Sequence, residues 1–208
     1  MDEIIKEKKA KEKSFTRVIS NLLLKLIGWK AVGEVPKEKK YVMIGYPHTS
    51  NWDTLIGLLV FRSLGVHLHW LGKQSLFKGP VGWLLKKTGG VPINRQSSQN
   101  FVQQSREIFD RFEHFVLTLS PEGTRKKTDF WRTGFYYIAL SAKVPIALAF
   151  LDYPKKTGGF GPLLWPSGDI EADMATIRAF YRDIHGKYPE KEGVIRIRPK
   201  DQSNEAAS

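Results

Sequence analysis

The chain has 208 residues, enough for one α/β domain with a substantial core and too few for two of ordinary size. Hydrophobic residues make up 41% and charged residues 26%, which excludes wholesale disorder, and the absence of cysteine excludes disulfides, thiolate chemistry and cysteine metal sites. Lys and Arg number 33 against 21 Asp and Glu, a formal net charge of +12, so the surface favours anionic partners: nucleic acid, anionic headgroups or phosphorylated substrates.

Residues 1–35 read as a charged lead-in followed by an amphipathic helix. "MDEIIKEKKAKEKS" mixes acidic with basic residues and lacks the apolar segment of a signal peptide. In "SFTRVISNLLLKLIGWK", Phe15, Val18, Ile19, Leu22, Leu26 and Trp29 recur at helical spacing, with Ser14 placed to cap. That stripe either packs on the domain or lies in a membrane surface with Trp29 at the headgroups.

Residues 36–208 read as a single α/β domain. Strand-like runs near 41–46, 66–71, 91–94, 115–119 and 144–151 alternate with helical patterns near 52–64, 79–88, 98–113 and 132–142. Such alternation predicts a largely parallel or mixed central sheet flanked by helices. "YPKKTGGFGPLLWPSGD" predicts a loop with a short edge strand, followed by a helix over 170–186 and a short strand in "GVIRIRP". The longest apolar stretches, "TLIGLLVF" and "FYYIALSAKVPIALAFL", are too short for a span or carry Lys143, so no transmembrane helix is expected.

Three stretches could carry chemistry, each at the C-terminal end of a predicted strand, where doubly wound sheets place functional loops. In "GYPHTSNWDT", His48 can act as a base and Asp53 can fold back to fix its tautomer. The alternative is a helix start capped by Ser50 or Asn51, with Asp53 in the first turn. In "KKTGGVPINRQS", Arg95 emerges at a strand end, or is a surface arginine. In "LTLSPEGTRKK", Gly123 permits close backbone approach, Thr124 offers a hydroxyl and Arg125 a fork suited to phosphate, with Glu122 positioning the arginine or nearby backbone. The alternative there is a Pro-Glu-Gly turn with exposed basic residues.

The order of these pieces resembles the glycerolipid acyltransferase family, which includes the 1-acylglycerol-3-phosphate (lysophosphatidic acid) acyltransferases. "HTSNWD", "GGVPINR", "SPEGTR" and "KVPIALAF" follow its four blocks between Tyr41 and Phe150, and "HWLGKQSLFKGPVGWLLKKTGG" between them is similar too. The resemblance implies transfer of a fatty acyl group from acyl-CoA or acyl carrier protein, as co-substrate rather than cofactor, to a hydroxyl of a lysophospholipid such as 1-acylglycerol 3-phosphate. By position, it makes His48 the general base and Asp53 its orienting partner. It makes Arg95, Glu122, Gly123, Thr124 and Arg125 the acceptor's phosphate site, with Lys73 as a further cation. Val144, Pro145 and Ile146 fall in the fourth block, assigned to acyl-donor binding or structural support. The family pattern is departed from at Ser120, Lys126 and Asn94, which leaves the acceptor open.

A lipid acceptor also implies work at a bilayer, so the helix from Phe15 to Trp29 is expected on an anionic membrane surface, peripherally on the cytoplasmic face. No cofactor, metal or nucleic-acid partner is expected. Rival readings are a nucleic-acid-binding protein, a metal hydrolase using His67, His69, His48 and Asp53, and a non-catalytic lipid- or polyanion-binding relative.

Overall fold

The computed structural model describes residues 15–94 and 98–199. Ser14, the expected cap, and Arg95 lie outside the described residues. A helix α1 over 15–26 leads into β1 (Lys30–Val32), β2 (Lys40–Gly45), α2 (Trp52–Ser63), β3 (Leu68–Lys73) and a 3-10 turn (Gln74–Phe77). Then follow α3 (Gly79–Lys87), β4 (Gly90–Ile93), α4 (Ser98–Arg111), β5 (Phe115–Leu119), α5 (Gly134–Ala142), β6 (Ile146–Asp152), β7 (Thr157–Leu164) and α6 (Ile170–Tyr181). The seven strands form one mixed sheet in the order β1-β7-β6-β2-β5-β3-β4, in which the β6–β7 pair is antiparallel and every other pair parallel.

The central strand shows why the sequence folds this way. In β2, Tyr41 and Met43 point to one face and Val42 and Ile44 to the other, and all four are buried. A strand covered on both faces reads as an unbroken apolar run rather than an alternation. One face packs with residues of α4, α5 and α6, among them Phe109, Phe135, Ile138, Met174 and Ile177. The opposite face packs with Leu24, Ile56, Val60 and Phe61 from α1 and α2.

Of the two fates open to the apolar stripe of α1, packing inward is not the one taken: Phe15, Val18, Ile19, Leu22 and Leu26 are exposed, and Leu24 is the apolar residue of the helix that enters the core. Other expectations for the chain's ends are corrected. Trp29, expected at headgroups, is buried instead, edge-on to Tyr153 at 4.9 Å. At the other end, "GVIRIRP" forms no strand, but its backbone is tied to the loop after β5 by Val194 N–H to the Thr128 carbonyl and Trp131 N–H to the Arg196 carbonyl, 3.0 and 2.8 Å. Helix α6 ends at Tyr181, short of residue 186. The short edge strand expected before it is instead the eight-residue interior strand β7, because it pairs with β6 on one side and with the unforeseen β1, the true edge, on the other.

Candidate active site

The register brings the functional loops together. Ile44 of β2 is level with Leu119 of β5, and Gly45 is level with Ala149 of β6. The segment carrying His48 therefore leaves the sheet between the loop that follows β5 and the end of β6. Strand β6 runs on to Asp152, three residues past Ala149, and so delivers Tyr153 to the same edge. Strands β3 and β4 continue the row on the β5 side, with Lys73 closing β3.

Asp53 lies in the first turn of α2 and its side chain folds back over the preceding loop. Oδ2 accepts from Thr49 N–H and Ser50 N–H, each at 2.8 Å, and lies 3.2 Å from His48 Nδ1. Oδ1 accepts from the Tyr153 hydroxyl at 2.6 Å. Ser50 Oγ meanwhile accepts from Trp52 N–H, the first of α2, at 3.1 Å, while Asn51 at the N-cap position makes no side-chain cap bond, so the stretch is a helix start tied down by Ser50 as well as a histidine–carboxylate couple. Burial pushes the Asp53 carboxyl up, but hydrogen bonds from His48, Tyr153 and Ser50 outweigh it and hold the group below the usual carboxylate range. The His48 side chain keeps 24% of its surface exposed against 5% for Asp53. His48 is reachable from outside while Asp53 is shielded, an arrangement in which the imidazole could serve as a general base.

Glu122 does not present a free oxygen to a substrate. Its Oε2 accepts from His48 N–H at 2.8 Å and its Oε1 from Gly193 N–H at 3.0 Å. The buried carboxyl thus ties the loop after β5 to the backbone of the histidine and to the C-terminal segment. Burial pushes it up to about 7, although both N–H bonds work the other way. The next residue, Gly123, has φ +63, and an added Cβ would stand 2.7 Å from Arg132 Nε. Arg132 is held there by its own N–H on the Pro121 carbonyl, 2.8 Å. Thr124 Oγ1 accepts from Lys126 N–H at 3.2 Å and tightens the turn. Arg125 and Lys73 are exposed and, among the described residues, neither is in an ion pair. An anion arriving at this edge would meet cations not already neutralised.

The remaining sequence-derived residues lie elsewhere. Val144, Pro145 and Ile146 are buried. Ile146 is level with Val42, three positions back from the Gly45–Ala149 pair, or about 10 Å along the strand from the edge that carries His48. The Pro145 carbonyl accepts from Val42 N–H at 3.0 Å, a sheet-supporting contact. His67 lies just before β3 and His69 on it, where His69 is half-buried against Phe112 and Phe115 with ring centroids 5.7 and 4.6 Å away. Burial holds its imidazole down to about 4. Among the described residues, no three metal-ligating side chains come together.

Three participants escape the sequence reading. Tyr153 is 100 residues from Asp53, and its signal would have been a hydroxyl directly after a strand end. Gly193 contributes a backbone N–H and has no side-chain signature. Arg132 reaches Gly123 only because the intervening loop doubles back.

A sequence profile of the Acyltransferase family matches residues 30–148. Over 79 residues, 36% of this chain, the sequence is 33% identical to 1-acyl-sn-glycerol-3-phosphate acyltransferase beta of Homo sapiens, and the match spans only 28% of that relative's length. The fold is similar to the crystal structure of the 1-acyl-sn-glycerophosphate (LPA) acyltransferase PlsC from Thermotoga maritima, with a TM-score of 0.55 and 15% identity, covering 85% of this chain and 80% of the other.

Proposed function

Since the chain belongs to the Acyltransferase family, we propose that it transfers a fatty acyl group from a thioester, acyl-CoA or acyl carrier protein, to a hydroxyl of a lysophospholipid such as 1-acylglycerol 3-phosphate. The observation that carries this reading is the His48–Asp53 couple at 3.2 Å, on a sheet edge that also bears unpaired cations. With Nδ1–H directed to Asp53, Nε2 is the nitrogen left to take the acceptor's hydroxyl proton. The oxygen attacks the thioester carbonyl, the tetrahedral species expels the thiolate, and the imidazolium returns the proton to sulfur. Asp53 stabilises the imidazolium in between, and general-base help of this kind contributes roughly 10²–10⁴ in rate. The acceptor's phosphate is held by Arg125, Arg132 and Lys73, together with the Arg95 that the sequence resemblance assigns to it, which supplies orientation. The thioester is a co-substrate, and no cofactor enters the reaction as written.

The exposed stripe of α1, Phe15, Val18, Ile19, Leu22 and Leu26, serves peripheral contact with the cytoplasmic face of a membrane. Among the described residues, no helix is long and apolar enough to cross one.

The test is thiol release from palmitoyl-CoA by purified protein with 1-acylglycerol 3-phosphate, glycerol 3-phosphate or no acceptor, beside His48→Ala. Release is expected to depend on both the phosphorylated acceptor and His48. Release that persists above a few per cent in a folded His48→Ala variant would overturn the assignment.

A further inference from the structure

Helix α3 is seated on the domain by very little of its own surface. Its buried residue is Gly82, where an added Cβ would come within 2.2 Å of the Phe77 carbonyl carbon. That close approach locks the helix against the 3-10 turn. At about 100° per residue, the arc facing away from Gly82 carries Leu84, flanked by Val81 and Lys87, with Trp83 beside them. Val81, Trp83 and Leu84 leave 63%, 59% and 56% of their surface exposed. The Lys87 ammonium stands 3.9 Å from the Trp83 ring centroid.

The charge around this patch is of one sign. From Thr54 to Arg106 there is no Asp or Glu, while Lys and Arg occur seven times. Among the described residues, Lys78, Lys86 and Lys87 are in no ion pair. Exposed apolar and aromatic side chains set among uncompensated lysines are the composition of a surface that enters the headgroup region of an anionic bilayer. Nucleic acid would satisfy the lysines and leave Val81 and Leu84 in water. A second copy of the chain docking through this face would bring its own lysines against these ones.

We propose that the outward face of α3, centred on Leu84, is a second lipid-contact element that binds anionic membrane surface independently of α1. The 3-10 turn and α3 leave the sheet directly after Lys73 at the end of β3, the edge from which His48 and the Glu122–Arg125 loop also project. Seating α3 in a leaflet therefore brings that edge close to lipid. A contact at α1 alone would leave the orientation of the domain about that helix undetermined. The inference goes beyond the acyl-transfer reading, and its test measures binding alone, so either can fail without the other.

The absence of cysteine makes the test direct. An environment-sensitive fluorophore is attached to Leu84→Cys, or to Glu171→Cys at an exposed position of α6 as control, and titrated with vesicles of phosphatidylglycerol and phosphatidylcholine or of phosphatidylcholine alone. The probe at 84 is expected to shift to the blue and brighten with anionic vesicles, and the probe at 171 to stay unchanged. Adding Lys87→Ala, on the outward face beside Leu84, is expected to weaken partition about fivefold, since each lysine near an anionic surface contributes. An unshifted probe at 84 on protein that pellets with the vesicles would overturn the proposal, as would an equal response to neutral vesicles. A blue shift that grows with protein concentration without vesicles would replace lipid by a second copy and equally overturn it.

Discussion

Tyr153→Phe removes one oxygen atom, the hydroxyl that bonds to Asp53 behind His48, and leaves the ring that Trp29 packs against. The hydroxyl is the hydrogen-bond donor to Asp53 Oδ1, at 2.6 Å, within the range for charge-assisted O–H···O⁻ bonds. Such a bond is worth about 1.5–3 kcal/mol, and 1.36 kcal/mol is a factor of ten, so full expression in the transition state would cost roughly ten- to a hundredfold in kcat. The lower end is expected, because Oδ2 keeps its bonds to Thr49 N–H, Ser50 N–H and His48. The lost donor favoured the ionised carboxylate, so its removal raises the Asp53 pKa. Protonation of Asp53 would then disable the couple at a higher pH, moving the acid limb of the kcat profile upward. Steady-state kinetics from about pH 3 to pH 9, with KM determined separately, read both effects. A folded variant with wild-type kcat and an unmoved acid limb would show that Tyr153 only fills space and would refute the argument.

Gly123→Ala should raise KM for a phosphorylated acceptor more than it lowers kcat, because the new methyl meets Arg132 at a residue whose φ is +63. A left-handed alanine costs about 1–2 kcal/mol by itself, so a modest fall in Tm is also expected. Unchanged KM in acyl-transfer assays would separate Arg132 from acceptor binding. Glu122→Gln tests the buried carboxyl through pH. The folded group titrates near 7 against an ordinary 4.5, so the wild type gains from it fully below about 4.5 and loses that gain as pH rises through 7. The variant lacks this slope, and the Tm advantage of the wild type should narrow from pH 5 to pH 8. A constant gap across that window in thermal melts would mean that Glu122 stays ionised throughout.

Local information was enough for much of this molecule. The unbroken apolar run of β2 announces a strand buried on both faces. The five-residue span from His48 to Asp53 is short enough that one helix turn can close it, whatever the rest of the chain does. The alternation of strand and helix from Tyr41 to Asp152 announces a parallel sheet, since parallel neighbours need crossovers. Arg125 was legible as a cation just beyond a strand end, whereas Lys73 was picked out only by the resemblance to the acyltransferase family. The α1 pattern was not decisive: Leu22, Leu23 and Leu24 are consecutive, so apolar residues occupy most of its circumference and periodicity cannot choose the buried side. The structure chose Leu24 and Trp29, against α2 and Tyr153.

Strand order and register decided the remainder. They result from packing both faces of the sheet at once, a non-local balance that no sequence window contains. That balance puts β6, β2 and β5 side by side, and with them Tyr153 on Asp53, Glu122 on the His48 backbone, and Gly193 on Glu122 across 71 residues. The sequence carried the His48–Asp53 couple because the two residues are neighbours along the chain. The groups that hold the couple in place are neighbours only in the folded sheet, where buried carboxylates had to find donors from whatever strands packing had brought alongside.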